Sequence, residues 1–349
     1  MKGVTLTDRE KAVLQAVIES YIDTAEPAGS RKIARRYALG VSPATVRNTM
    51  ADLEGKGFLT HPHTSAGRMP TDLAYRYYVD TLMGRRPVTG RQREKIAKEL
   101  RGEESLSAIE ILVRRAAQVL GLLTGELGLA IGPTLAEAIL HKLELIPISS
   151  EKVLLVLTLE SGVVRTVYVD LRTALPDATL TAVASALNER LAGCTLREIH
   201  ATLGGRLRDI DLPDPSARAL VNIFVESGPD IFEWAVRGTD VHLGAASLLA
   251  EQPEFTTGEQ LRALIELTER RELLASVLGA RANTDGPQIT IGTEHGTPEL
   301  SELTIVSASY SVGNLHGVLG VIGPTRMPYE KVVAVVDCTS SLVSSLVRH

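Results

Sequence analysis

VSPATVRNTMADLEGKGFLTHPHTSAGR, residues 41–68, places a helix start, a trimmed helix face and a glycine-containing basic loop side by side. Ser42 followed by Pro43 is a cap residue with proline at the first helical position, where its missing N–H costs nothing. Val46, Met50 and Leu53 then share one face at steps of four and three. At about 100° per residue, Ala44, Arg47, Asn48 and Ala51 point the opposite way. A bare surface helix more often carries Glu/Lys pairs at such positions. This face is small and polar with one cation, suited to close approach.

Upstream, TDREKAVLQAVIESYIDTAEP (7–27) opens with Thr7 and Glu10 at capping-box spacing. The pairs Val13/Leu14, Val17/Ile18 and Tyr21/Ile22 give one apolar stripe, stopped by Pro27. GSRKIARRYALG (29–40) predicts a short second helix with Ser30 as cap and Gly40 as stop. Three short helices, then FLT, a glycine loop and a further segment, make a winged helix-turn-helix over residues 1–83. In that motif the second helix enters the major groove of DNA. Arg47 can be bidentate to guanine, Asn48 can pair with adenine, and Ala44 or the Thr45 methyl can meet a thymine methyl. The Ser42 cap and the free N–H groups behind it form a phosphate seat. Arg31, Lys32 and Arg35, with Arg36, are placed to neutralise phosphates, their plainer reading being a solvated face. In HPHTSAGR (61–68), His61, His63, Thr64, Ser65 and Arg68 surround Gly67; such a wing lies over phosphates or puts an arginine in the minor groove. His61 and His63 have no further ligands nearby, so no metal is expected.

Charge agrees with this placement. The 349 residues carry a net −5, yet residues 1–101 hold 18 Lys/Arg against 11 Asp/Glu, a net of +7, and the remainder is −12. Aromatic residues are only 4% of the chain, so the cores must be mainly Leu, Val, Ile and Ala. Two cysteines, Cys194 and Cys338, offer neither a disulfide framework nor metal spacing, which fits a reducing cytoplasm. With no signal-like start and no long apolar run, a soluble cytoplasmic protein is expected, without membrane contact. There is no Gly-rich phosphate loop ending in Lys-Ser/Thr, no His-Glu-x-x-His and no nucleophile elbow, so neither an enzyme nor a cofactor is expected.

Residues 84–103 read as a linker, Gly/Pro/charge-rich at its start and helical at its end. SLSAIEILVRRAAQVLGLLTGELGLAI (105–131) predicts a long apolar helix, interrupted late by Gly121, Gly125 and Gly128. Two or three strands follow, up to residue 171, with turn signals at PISS and ESG. Residues 172–245 are helical and hold Trp234. Residues 257–279 read as one helix, residues 287–326 as strands, and 329–347 as a closing helix. The pattern predicts an α+β multidomain chain: one α+β domain over 104–171 and 246–349, interrupted by a helical insert at 172–245. Within the insert, Phe232 and Trp234 are candidates for a self-association surface or for local core.

Three blocks carry a resemblance: residues 41–80, VSPATVRNTMADLEGKGFLTHPHTSAGRMPTDLAYRYYVD; 187–199, LNERLAGCTLREI; and 317–332, GVLGVIGPTRMPYEKV. Together they resemble the HrcA family of heat-inducible transcription repressors along nearly the whole chain. The resemblance implies a winged-helix domain, a GAF-like α+β domain and an inserted dimerising domain. It also implies a homodimer on an inverted-repeat operator of double-stranded DNA upstream of chaperone genes, with activity dependent on a GroE-type chaperonin. Matching positions are Ser42, Ala44, Thr45, Arg47 and Asn48 on the recognition helix, and His63, Ser65, Ala66, Gly67 and Arg68 in the wing. Pro43, Ala74 and His295 depart from the family pattern. The alternative is a metabolite-responsive regulator whose GAF-like domain senses a small ligand. The glycines of HGVLGVIG (316–323) are its only signal, and on an apolar strand they more often mark close packing.

Overall fold

Thr7 does cap the first helix, α1 (Asp8–Thr24): its hydroxyl accepts from the Glu10 N–H while the Glu10 carboxylate accepts from the Thr7 N–H at 2.8 Å. The computed structural model describes residues 5–61, 67–84, 87–101, 109–133, 135–171, 173–210, 212–236, 241–282 and 284–347. Val13, Leu14, Val17 and Ile18 form the buried stripe of α1. Next come α2 (Ser30–Arg36) and α3 (Pro43–Gly55), the latter burying Val46, Met50 and Leu53 as their spacing requires. Strands β1 (Leu59–Thr60) and β2 (Met69–Pro70) pair antiparallel as the stem of a wing. A short α4 (Asp72–Tyr77) then continues into a wider turn, Tyr78–Leu82. One detail differs. Ser30 is the first helical residue rather than the cap, and α2 closes at Tyr37 because Ala38 already turns left-handed at φ 46°, ahead of Gly40.

After α5 (Gly90–Arg101), α6 (Ile109–Thr124) ends earlier than its apolar run. Gly125 takes φ +79°, and residues expected to prolong the helix become β3 (Leu127–Ile131), every one of them buried. Gly128 permits the reversal: a Cβ there would stand 1.8 Å from the Ala117 carbonyl oxygen of α6. β3 belongs to a five-stranded antiparallel sheet with β7 (Val241–Leu243), β8 (Gln288–Ile291), β9 (Leu303–Val312) and β10 (Leu315–Pro324), in the order β7-β3-β10-β9-β8. α6 and the C-terminal α13 (Tyr329–Val347) pack on one face, where Ala130, Val306, Ala308, Leu319 and Val321 meet Val332 and Val336. The other face takes α10 (Ser247–Ala250), α11 (Gly258–Glu269) and α12 (Arg271–Gly279), with Leu264, Leu267, Leu274 and Leu278 on Leu129, Ile305 and Ile322. The single helix expected over 257–279 is therefore two, broken at Arg270 (φ −80°, ψ 60°). The glycines of β10 are packing glycines. A Cβ at Gly317 would meet the Tyr310 ring at 2.3 Å, and one at Gly320 the Val306 carbonyl at 2.5 Å.

Strands β4 (Leu140–Ser149), β5 (Lys152–Leu159) and β6 (Val164–Asp170) form a separate antiparallel sheet, ordered β4-β5-β6. Its partners are α7 (Asp177–Leu191), α8 (Leu196–Leu207) and α9 (Pro215–Val236). Asn188 of α7 makes both backbone hydrogen bonds to Leu143 of β4, at 2.7 and 2.8 Å. The expected insert boundary at 172 falls between elements that pack together: the strands before it hydrogen-bond with one another and pack on α7. Conversely β7, read as part of the insert, pairs with β3. Alternating apolar residues mark a strand with one buried face; they do not say which sheet it joins. Of the two readings of Phe232, self-association surface or local core, its full burial favours the second. The Trp234 side chain lies outside the described residues.

Candidate nucleic-acid interface

The recognition helix α3 starts where its chemistry requires. Ser42 Oγ accepts from the Thr45 N–H at 3.1 Å and lies 3.0 Å from the Thr45 hydroxyl. Pro43 has no N–H, and the Val46 N–H bonds the Ser42 carbonyl at 3.0 Å. The Ala44 N–H is left as the open donor of the first turn. The first turn therefore has fewer open donors than the sequence suggested, and the Ser42 and Thr45 side chains are engaged with each other in shaping it. Ala44, Arg47, Asn48 and Ala51 are all exposed on the outer face. Among the described residues Arg47 makes no ion pair, so its guanidinium is available to an incoming base edge.

The four cations of α2 fall into two kinds. Lys32 lies 3.7 Å from Glu26, and Arg36 is paired with Asp23 while stacking 5.4 Å from the Tyr37 ring. Arg31 and Arg35 are exposed, and these two are the cations of α2 that have no ionic partner among the described residues.

The wing stem is locked to the recognition helix. Glu54, in the last turn of α3, receives His61 Nδ1 on one carboxylate oxygen, while Arg68 Nε lies 2.7 Å from the other, off the angle of a hydrogen bond. Arg68 also exchanges two backbone hydrogen bonds with Ala28, at 2.8 and 3.0 Å. Its side chain, expected to reach DNA, is thus committed to the base of the wing. Gly67 serves the same junction: a Cβ there would stand 2.6 Å from the backbone of Pro27 and Ala28. His63 and Ser65 lie outside the described residues. The sequence reading missed the role of Glu54 and also Lys56, whose Nζ lies 2.6 Å from the nearly buried Glu10 carboxylate. That ammonium holds the Glu10 carboxyl below its usual range. The only signal was a carboxylate at the end of a helix followed by basic loop residues.

Among the described residues no three His, Cys, Asp or Glu side chains converge as metal ligands would, and no helix is long and apolar enough to cross a membrane.

Comparison with known proteins agrees with this geometry. Residues 5–81 match the model of the winged helix-turn-helix transcription repressor, HrcA DNA-binding, and residues 110–333 that of the HrcA protein C terminal domain. The heat-inducible transcription repressor HrcA of Chlorobium chlorochromatii is 36% identical over 97% of both chains. That of Symbiobacterium thermophilum is 37% identical over 98% of this chain and 99% of its own. A solved structure of a hypothetical protein at 2.2 Å resolution shares the fold, with TM-score 0.62 and 22% identity over 98% of this chain and 97% of that one. An N-terminal winged helix with an exposed reading face, on a mixed helix-and-sheet body, thus meets full-length relatives. The chain belongs to the HrcA family of heat-inducible transcription repressors, and is a DNA-binding repressor.

Proposed function

We propose that this repressor acts in the cytoplasm as a homodimer, placing two copies of α3 in successive major grooves of an inverted repeat upstream of chaperone genes. The observation that carries this reading is the outer face of α3, where Ala44, Arg47 and Asn48 stand exposed on a helix fixed at both ends. Arg47 and Asn48 read base edges, Ala44 meets a thymine methyl, and Arg31 and Arg35, joined by Lys32, hold the backbone. Two-fold symmetry of the protein then matches that of the operator.

The self-association surface we assign is the outer face of the β4-β5-β6 sheet. Ile146, Leu154 and Tyr168 form one cross-strand row on the face opposite Val153 and Leu155. Ile146 is 45% and Tyr168 68% exposed, with Val164 of the same face at 56%. Exposed apolar rows on a sheet mark a surface that another protein covers. This insert, by our reading residues 138–236, is carried by a GAF-like domain formed from the five-stranded sheet and its helices. Linking the half-sites through such an interface multiplies their affinities by effective concentration. A GroE-type chaperonin maintains the active form, so that unfolded protein competing for it opens the operons.

The test is a footprint of the purified protein on the promoter of its own chaperonin operon, with and without chaperonin. Protection of a palindromic segment, strengthened by chaperonin, is expected; an unprotected promoter overturns the reading.

A further inference from the structure

The winged helix is mounted on the C-terminal domain at two separate points. At the first, the chain leaves β8 in a tight turn, Gly292–His295. The Thr293 N–H and hydroxyl both donate to Asp72 Oδ2 of α4, at 3.0 and 3.1 Å. Gly292 has φ +52°, and a Cβ there would stand 2.2 Å from that carboxylate, so only glycine lets the turn approach this closely. One helical turn later Arg76 grips Glu294 with two parallel bonds, Nε to Oε1 at 2.7 Å and Nη2 to Oε2 at 2.5 Å. It also donates to the Ile289 carbonyl at 2.7 Å. Glu294 is itself oriented by the Ile291 N–H at 2.8 Å.

At the second point Arg326, just before α13, donates to the Ile22 carbonyl near the end of α1 at 2.7 Å. A bidentate pair with Glu254 keeps that guanidinium in place, at 2.5 and 2.9 Å. Between the two points the buried rings of Tyr75 and Tyr78 pack on Tyr329, with centroids 5.7 and 6.5 Å apart.

None of these contacts uses the outer face of α3, where Arg47 and Asn48 remain exposed. The mount therefore does not mask the reading face; it sets the direction in which that face points. The bidentate Arg76–Glu294 pair fixes orientation as well as distance, because a planar fork accepts its partner in one geometry. The Arg326 bond to the Ile22 carbonyl, its donor steadied by Glu254 within the same domain, supplies a second point that resists rotation.

We infer that Asp72, Arg76 and Arg326 are positioning residues for operator binding: without touching DNA, they hold each recognition helix at the angle from which both halves of an inverted repeat are reached together. This rests on the dimeric reading proposed above. A loose mount spreads each α3 over many orientations, lowers the effective concentration of the second contact, and leaves the first contact unchanged.

The experiment compares full-length wild type with Glu294→Gln and Arg76→Gln by fluorescence anisotropy. One duplex carries the whole inverted repeat from the protected promoter; the other carries one half-site. Each variant is expected to bind the whole repeat about tenfold more weakly, with half-site affinity within about twofold of wild type. Arg326→Lys, which keeps the charge but loses the fork, gives the same split and covers the case in which the Arg76 variants fold poorly. Variants that bind the whole repeat as wild type does overturn the inference, as does an equal loss on both duplexes. Wild type binding the two duplexes alike overturns the dimeric reading and this inference with it; a wild-type preference for the whole repeat, undiminished in the variants, overturns the inference alone.

Discussion

Lys56 Nζ stands 2.6 Å from Glu10 Oε1, tying the end of the recognition helix to the first turn of α1. Removing the carboxylate with Glu10→Gln leaves a partly buried ammonium unpaired and weakens a capping box, a loss of about 1–2 kcal/mol at pH 7. Because the Glu10 carboxyl is held below its unfolded value by Lys56, the stabilisation is present above that unfolded value, near 4.5, and fades as pH falls through the lower folded value. Melting curves of wild type and variant should differ at pH 7 and converge in acid. Curves separated equally at both pH values would assign the loss to packing rather than charge.

Arg47→Ala should cost about 1–3 kcal/mol on operator DNA and much less on random DNA. Competition binding with the two duplexes measures the difference directly, and parallel losses would remove Arg47 from base readout.

Arg35→Ala should weaken all DNA to a similar degree and reduce the salt slope by about one. Arg36, already paired with Asp23, provides the contrast: Arg36→Ala should move that slope less. Salt titrations of the two variants test the division of labour on α2, and equal slopes would refute it.

Gly67→Ala forces a methyl against the backbone of Pro27 and Ala28, which cannot yield as a side-chain tip can. A loss of about 1–3 kcal/mol is expected from overpacking, together with weaker operator binding as the wing stem shifts. Thermal unfolding and anisotropy on the same sample check it; unchanged stability would mean that the junction is more pliable than its geometry implies.

Glu126 is nearly fully buried, with one carboxylate oxygen accepting from Gln252 Nε2 at 2.8 Å, and burial pushes its carboxyl up to about 8. The native state therefore keeps a proton that the unfolded chain sheds near 4.5, so this group's contribution is whole in acid and declines as pH rises from there to about 8. Glu126→Gln removes the decline. Denaturant midpoints should show the variant gaining on wild type by about 3–4 kcal/mol between pH 5 and pH 8. A gain independent of pH would show that the carboxyl does not titrate in that window.

What was legible in the sequence was chiefly local. Thr7 with Glu10, and Ser42 with Pro43, act over three residues, so their spacing alone states the helix starts. The buried and exposed faces of α3 follow from one periodicity, and Arg47 and Asn48 fall on the face it assigns them. Ionic partners distant in sequence were not legible: Arg68 looked like a free cation because nothing near it in the chain announces Glu54. Sheet membership was hidden for the same reason, since β3 (LGLAI) and β5 (KVLLVLTL) are both Leu-rich apolar runs yet join different sheets. Phe232 stayed open between self-association surface and local core because the elements that bury it are distant in sequence.

The pairing of β3 with β10 also bears on how the chain emerges from the ribosome. Ala130 waits for Leu319, a partner made roughly 190 residues later, which at 5–20 residues per second is an interval of about 10–40 s. Throughout that time the most apolar strand of the sheet has no finished neighbour on that edge, and Arg326 has not yet been added to steady α1. A nascent repressor therefore keeps that strand edge open, and prone to stick to other chains, until β10 has been made.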